Sequence, residues 1–290
     1  MFKLILKPLS SLSLSSIHKL GHIFGLAMYY VMPNLKRIAL ENMLQSGLFK
    51  NGASLNRALK MNIIENGKFV VESLALWQQS EQAKLSLVQP CKNWHLVEDA
   101  LARKKGIIFL TPHMGCFEIT SVYYGAQHPI TVIFRRPKMK WLQKLITSGR
   151  TQNKVILAPA NVHGVRMLMK ALQRGEAVGM LPDHIPAKGE GEWANFFGKP
   201  AYTITLASKL AKKTGATVIM AYGERLPNGN GFELHLTKLA DGAIDTPRML
   251  NQALEKQISA NPIQYLWSYP RYRSRKRAIT RENRRQKKLH

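Results

Sequence analysis

The stretch "LTPHMGCFEIT" (residues 110–120) sets a histidine just after a run of β-forming residues and a glutamate five positions later, with small and apolar residues between. A neutral imidazole can take a proton from a hydroxyl, and a carboxylate on its other nitrogen fixes the tautomer and stabilises the imidazolium. His113 with Glu118 would in that way activate an alcohol for attack on an acyl ester or thioester. Geometry sets a condition. Five residues apart on a regular helix, two side chains point ~140° apart, so the pair meets only if His113 sits in a strand-to-helix turn and Glu118 in the first helical turns. Pro112 and Gly115 suit such a turn. The plain alternative is a histidine that satisfies a turn and a glutamate on a solvated face.

Three further segments carry chemistry. "FRRPKMKWLQKLITSGR" holds Arg135, Arg136, Lys138, Lys140, Lys144 and Arg150, and guanidinium groups bind phosphate bidentately. "GMLPDHIPAKGEGEWANFFGKPAYT" reads as a long Gly/Pro-rich connection in which Asp183 directly follows strand residues. Trp193, Phe196, Phe197 and Tyr202 give that connection an apolar surface. Loops leaving strand ends are where α/β proteins bind ligands. "NPIQYLWSYPRYR" combines aromatics with Arg271 and Arg273. Of the two cysteines, Cys91 and Cys116, the second stands three residues from His113 and offers a rival acyl-enzyme route; a small residue packed in a turn explains it equally well. There is no CxxC, and the HxxxH pair of His18 and His22 lacks a third ligand, so no metal site is expected.

The elements that must position these residues follow from the patterning. "GIIFLT", "PITVIFR", "KVILAP", "EAVGML" and "ATVIMAYGERL" read as strands, with helical patterns over residues 115–126, 138–149, 162–174 and 203–214 between them. "FELHLTKLA" follows an Asn-Gly turn and predicts a hairpin partner at the sheet edge. Residues 35–80 form a helical lead-in. The expected fold class is α/β: a mixed, mostly parallel sheet flanked by helices, preceded by an N-terminal helical membrane anchor. That anchor, residues 1–34, contains an apolar run from residue 20 to 32. It is shorter than the ~20 residues of a comfortable helical span, so it reads as an interfacial or marginally spanning helix. Residues 35–270 make the main domain and residues 271–290 a basic tail. GxSxG, P-loop and GxGxxG motifs are all absent, which weighs against an α/β-hydrolase and an ordinary nucleotide site.

Charge points to the partners. Lys and Arg number 43 against 17 Asp and Glu, a net charge of +26. The tail has ten Lys/Arg and one acidic residue, Glu282, so it carries +9 and the body still carries +17. Such a protein seeks phosphates or acidic partners.

Taken in order, "HMGCFE", "SGR", "LPDHIP" with "ANFFGKPAYT", and "NPIQYLWSYPRYR" resemble the motif blocks of the bacterial lipid A biosynthesis late acyltransferases. The resemblance covers nearly the whole chain. Two positions depart from the usual blocks: His184 stands where glutamine often follows the aspartate, and "SYPRYR" replaces a double-basic run. The resemblance implies an enzyme of the inner membrane with its active site on the cytoplasmic face and no metal or organic cofactor. Its donor would be an acyl-carrier-protein thioester and its acceptor a hydroxyl of a phosphorylated lipid A precursor. In that reading His113 is the general base and Glu118 orients it. Arg150 binds phosphate or supports charge on the thioester oxygen, and Asp183 positions the acceptor or braces Arg150. Arg135 is a further phosphate ligand, and Phe196 and Phe197 line an acyl or sugar pocket. Anionic membrane is expected as a partner and nucleic acid is not. Two alternatives stand: acyl transfer to a glycerophospholipid or other glycolipid, and a non-enzymatic basic protein that binds membrane or nucleic acid.

Overall fold

The expected strands assemble into one sheet in a computed structural model, which describes residues 8–50 and 52–273. The strands in chain order are β1 (Ile107–Leu110), β2 (Ile130–Phe134), β3 (Val155–Pro159), β4 (Ala177–Met180), β5 (Gly191–Phe196), β6 (Lys199–Ile204), β7 (Thr217–Arg225) and β8 (Phe232–Lys238). The main sheet runs β3-β2-β4-β1-β7-β8. Its pairings are parallel except for β7 with β8, the edge hairpin. Alternate residues of the central strands feed two cores. Ile108, Leu110, Val178, Met180, Val218 and Met220 face one cluster, and Ile107, Phe109, Ala177, Ile219 and Ala221 face the other. Burial on both faces is what near-continuous apolar strands require.

Helices cover both faces. Before the first strand come α1 (Leu14–Val31), α2 (Pro33–Ser46), α3 (Ala53–Leu76), α4 (Glu81–Leu85) and α5 (His95–Ala102). Between the strands lie α6 (Glu118–Gln127), α7 (Lys140–Arg150), α8 (Val162–Gln173) and α9 (Leu206–Thr214), and α10 (Pro247–Ala260) follows the sheet. The helix expected from residue 115 begins only at Glu118, because residues 111–117 are consumed by the turn. The one expected from residue 203 begins at Leu206, because β6 runs to Ile204. The Gly/Pro-rich connection after β4 is not all loop: β5 and β6 pair as an antiparallel hairpin. Its two-residue turn, Phe197-Gly198, has φ of +45° and +78°, as a type I′ turn demands.

The apolar N-terminal segment is an element of this fold. One face of α1, with Leu14, Ile17, His18, Gly21, Gly25 and Met28, is buried against α3. The two helices meet backbone to backbone: a β-carbon at Gly25 would fall 2.5 Å from Ile64 Cα, and one at Gly67 would strike the Gly25 backbone. Among the described residues no helix is long and apolar enough to cross a membrane. The opposite face of α1 is nonetheless apolar and exposed, with Leu20, Ile23, Phe24, Tyr30 and Val31. Residues 274–290, most of the expected basic tail, lie outside the described residues.

A buried ionic cluster ties the lead-in to the sheet. Arg225 on β7 donates from Nε to Glu72 at 2.7 Å and from Nη1 to Glu65 at 2.7 Å, both carboxylates on α3. His18 on α1 reaches Glu72 at 2.9 Å, and Arg225 also donates to the Gly115 carbonyl at 3.3 Å. Burial alone would push the Glu72 carboxyl up, but Arg225 and His18 hold it down to about 2. The "HxxxH" motif is thereby split, since His18 serves this cluster while His22 is exposed.

Candidate active site

Parallel pairing brings the two key loops together. Leu110, the last residue of β1, is in register with Met180, the last of β4. His113 and Asp183 each stand three residues beyond, so they leave neighbouring strand ends at the same height. The chains then diverge: β1 leads through α6 on one face to β2, while β4 leads through α9 on the other face to β7. Such divergence opens a crevice at the carboxyl edge of a parallel sheet.

The turn after β1 is held rigidly. Met114 N–H donates to the Pro112 carbonyl at 2.7 Å, folding the chain sharply about His113. Gly115 has φ +55°, and a β-carbon there would collide with the Gly223 carbonyl oxygen, so only glycine serves. The segment after α10 closes over the turn: Leu266 N–H donates to the His113 carbonyl at 2.9 Å, and Gly115 N–H to the Gln264 carbonyl at 3.0 Å. That segment is clamped from the lead-in by two buried amides. Asn62 donates to the Ile263 and Tyr265 carbonyls, and Asn42 to those of Trp267 and Tyr269, all at 2.6–2.8 Å. The aromatic "NPIQYLWSYP" block thus holds this turn through its backbone.

The carboxylate on the His113 ring is Asp183, in place of the expected Glu118. Asp183 Oδ1 lies 2.8 Å from His113 Nδ1, and its Oδ2 accepts from the His113 backbone N–H at 3.0 Å. Burial would push this carboxyl up, but the neighbouring His113, with a smaller contribution from His184, holds it well below the usual carboxylate range. An ionised carboxylate only accepts, so Nδ1 carries the proton and Nε2 keeps the lone pair. Glu118, at the start of α6, is engaged instead by Arg150 at the end of α7. Arg150 Nε donates at 2.8 and 3.1 Å to the two carboxylate oxygens, and Nη2 donates to Oε1 as well. The guanidinium also lies over the rings of Trp77 and Phe134, at 5.9 and 5.5 Å. The expected bracing of Arg150 therefore comes from Glu118, not from Asp183. The swap has a simple cause: His113 folds back over the β4 end, whereas α6 starts only at Glu118.

One member of each pair, His113 and Arg150, borders a single cavity of about 680 Å³. His113, Phe117, Arg135, Arg150 and His184 line it, with Ile133, Phe134, Ile146, Val165, Leu181 and Ile204 as apolar wall and Lys209 as a further cation. An apolar wall with a few convergent polar groups is the usual make-up of a ligand site. Arg135 lies where expected, exposed at its rim. Phe196 and Phe197 are not among the lining residues: Phe196 is buried under the Arg271 guanidinium, and Phe197 is the turn residue packed on Trp267. Cys116 is fully buried beside Ile119 and Phe232, and burial, with Glu72 nearby, pushes its thiol well above the ordinary range.

His113, Asp183 and His184 are close enough for their ligand atoms to lie within 4.8 Å of one another. The two imidazoles, however, are stacked with centroids 3.6 Å apart and planes within 5°. Metal ligation uses a lone pair in the ring plane, and two parallel planes at that spacing meet at no common point, so this arrangement does not hold a metal through both rings.

Comparison with known proteins gives this arrangement a family. Residues 4–274 match the model of the family described as bacterial lipid A biosynthesis acyltransferase. The chain is 30% identical over 193 residues to the lipid A biosynthesis lauroyltransferase of Escherichia coli K12, covering 63% of this chain and 61% of that protein. To the palmitoleoyltransferase of the same organism it is 25% identical over 228 residues, 76% of this chain and 70% of that protein. A lipid A biosynthesis acyltransferase of Haemophilus influenzae aligns over 273 residues at 24% identity, 89% of this chain and 85% of that protein. With the match running over nearly the whole chain, the chain belongs to the bacterial lipid A biosynthesis acyltransferase family.

Proposed function

We propose that the protein transfers a fatty acyl chain from an acyl-carrier-protein thioester to a hydroxyl of a lipid A precursor. The observation that carries this reading is His113, paired with Asp183 behind it, on the border of a large cavity that is apolar in its wall and cationic at its edge. His113 Nε2 takes the proton of the acceptor hydroxyl as the oxygen attacks the thioester carbonyl. The imidazolium is stabilised by Asp183 and returns the proton to the departing thiolate. Arg150, held in place by Glu118, supports the oxyanion that forms in between. Arg135 and Lys209 suit a phosphorylated sugar, and the apolar wall suits the chain. No step calls for a metal or an organic cofactor.

The exposed apolar stripe on α1 supports attachment to the anionic inner membrane as an interfacial helix, with the cavity on the cytoplasmic face where acyl carrier protein resides. The net charge of +26 suits both partners.

The test is a mass-spectrometric assay in detergent, with acyl-carrier-protein thioester and a tetra-acylated lipid A precursor as substrates. Wild type adds one acyl mass, and His113→Ala adds none. Transfer to glycerophospholipid but not to the precursor would move the reading to the alternative acceptor. Equal product from His113→Ala would remove His113 from the chemistry.

A further inference from the structure

Among the cavity side chains outside the two ion pairs, His184 lies directly against His113. The His184 ring lies flat on that of His113, with centroids 3.6 Å apart and planes within 5°. Its other face lies on Tyr269, at 3.8 Å and 11°. The sandwich is anchored at both ends. Asp183, the residue before His184, is buried and bonded to His113. Tyr269 accepts from the Ile185 N–H through its hydroxyl at 3.0 Å, and its carbonyl accepts from Asn42 at 2.8 Å.

A flat contact at that spacing blocks rotation of His113 out of its plane, while the Asp183 bond fixes one nitrogen within it. The stack also has an electrostatic sense. Burial, with His113 beside it, pushes His184 down to about 4; Asp183 opposes this, while Arg271 and Arg135 add to it. A ring neutral at pH 7 attracts an imidazolium stacked on its face, whereas a second imidazolium would repel it.

We propose that His184 is a positioning residue for acyl transfer: backed by Tyr269, its ring holds the His113 imidazole in the plane served by Asp183 and supports the cation that forms there. The inference rests on His113 being the base, and His113→Ala belongs in the same assay as its control.

Three variants separate the ring from its nitrogens: His184→Phe keeps a flat face, His184→Gln keeps a polar side chain without one, and His184→Ala keeps neither. With misplacement by an ångström worth about 100-fold, kcat should fall roughly 10–100-fold in the Ala and Gln variants and stay within about threefold in Phe. KM for donor and precursor should hold within about threefold throughout. Thermal melting checks that each variant is folded. Full activity in His184→Ala overturns the proposal. So does activity kept in Gln and lost in Phe, which would make the buried Nε2, which has no partner among the described residues, the working group. Equal loss or equal retention in Phe and Gln overturns it as well. An active His113→Ala would instead overturn the reading on which it rests.

Discussion

At the scale of residues, the site divides its two carboxylates between two tasks. Asp183 accepts twice from His113, once from the ring and once from the backbone, so it fixes both tautomer and orientation. Glu118 neutralises Arg150 and aims it at the cavity. Removing Glu118 leaves a partly buried guanidinium without its bidentate partner, at a cost of about 3–5 kcal/mol. Glu118→Ala should therefore lower activity and melting temperature together, and adding Arg150→Ala to it should return much of the stability without the activity. Calorimetry alongside the acyl-transfer assay checks this; independent, additive losses of stability would contradict it. Cys116→Ser should retain turnover within about threefold, because a buried protonated thiol is no nucleophile. The proposed base, His113, was singled out in the sequence by its place between a strand and a helix start with a carboxylate close behind. Its partner was not. Periodicity orders residues along the chain, but only the parallel register of β1 with β4 puts position 183 beside position 113.

At the scale of elements, the strands and most helix positions follow from apolar runs and their spacing, and the edge hairpin from its Asn-Gly turn. The β5–β6 hairpin did not, because its turn is Phe-Gly instead of Asn-Gly and its strands carry polar residues on their outer faces. Phe197 consequently looked like a pocket aromatic when its role is the turn. The lead-in was legible as helix, but not as the clamp on the segment over His113, which depends on Asn42, Asn62 and the Glu72–Arg225 cluster. With its carboxyl held down to about 2 from an ordinary 4.5, Glu72 contributes stability that is present above its unfolded value and lost as pH falls toward 2. Glu72→Gln should therefore cost about 3–5 kcal/mol at pH 7, with the gap from wild type narrowing at pH 3. Urea unfolding at the two pH values reads this directly; a gap of equal size at both would contradict the cluster's ionic character.

At the scale of the whole molecule, the proposed attachment to membrane rests on charge and on the exposed α1 face. The apolar segment read as an anchor has instead an inner stripe that is part of the core and an outer stripe free to enter a lipid interface. Placing charge on the outer stripe with Ile23→Glu and Phe24→Glu should weaken co-sedimentation with anionic vesicles at least tenfold, since each buried apolar side chain is worth about 1.5–3 kcal/mol. Activity on detergent-dispersed substrate should be unchanged. Retained vesicle binding would move the attachment elsewhere on the basic surface.

The central claim is that His113 and Asp183 act as one unit, and the most direct test is the rate of acyl transfer by His113→Ala, Asp183→Ala and the double variant. Residues that act as a unit are strongly non-additive, so the double variant should be no slower than His113→Ala by more than about threefold. Losses that multiply, with the double variant slower by the full Asp183→Ala factor, would show that Asp183 serves the reaction independently of His113 and would contradict the account.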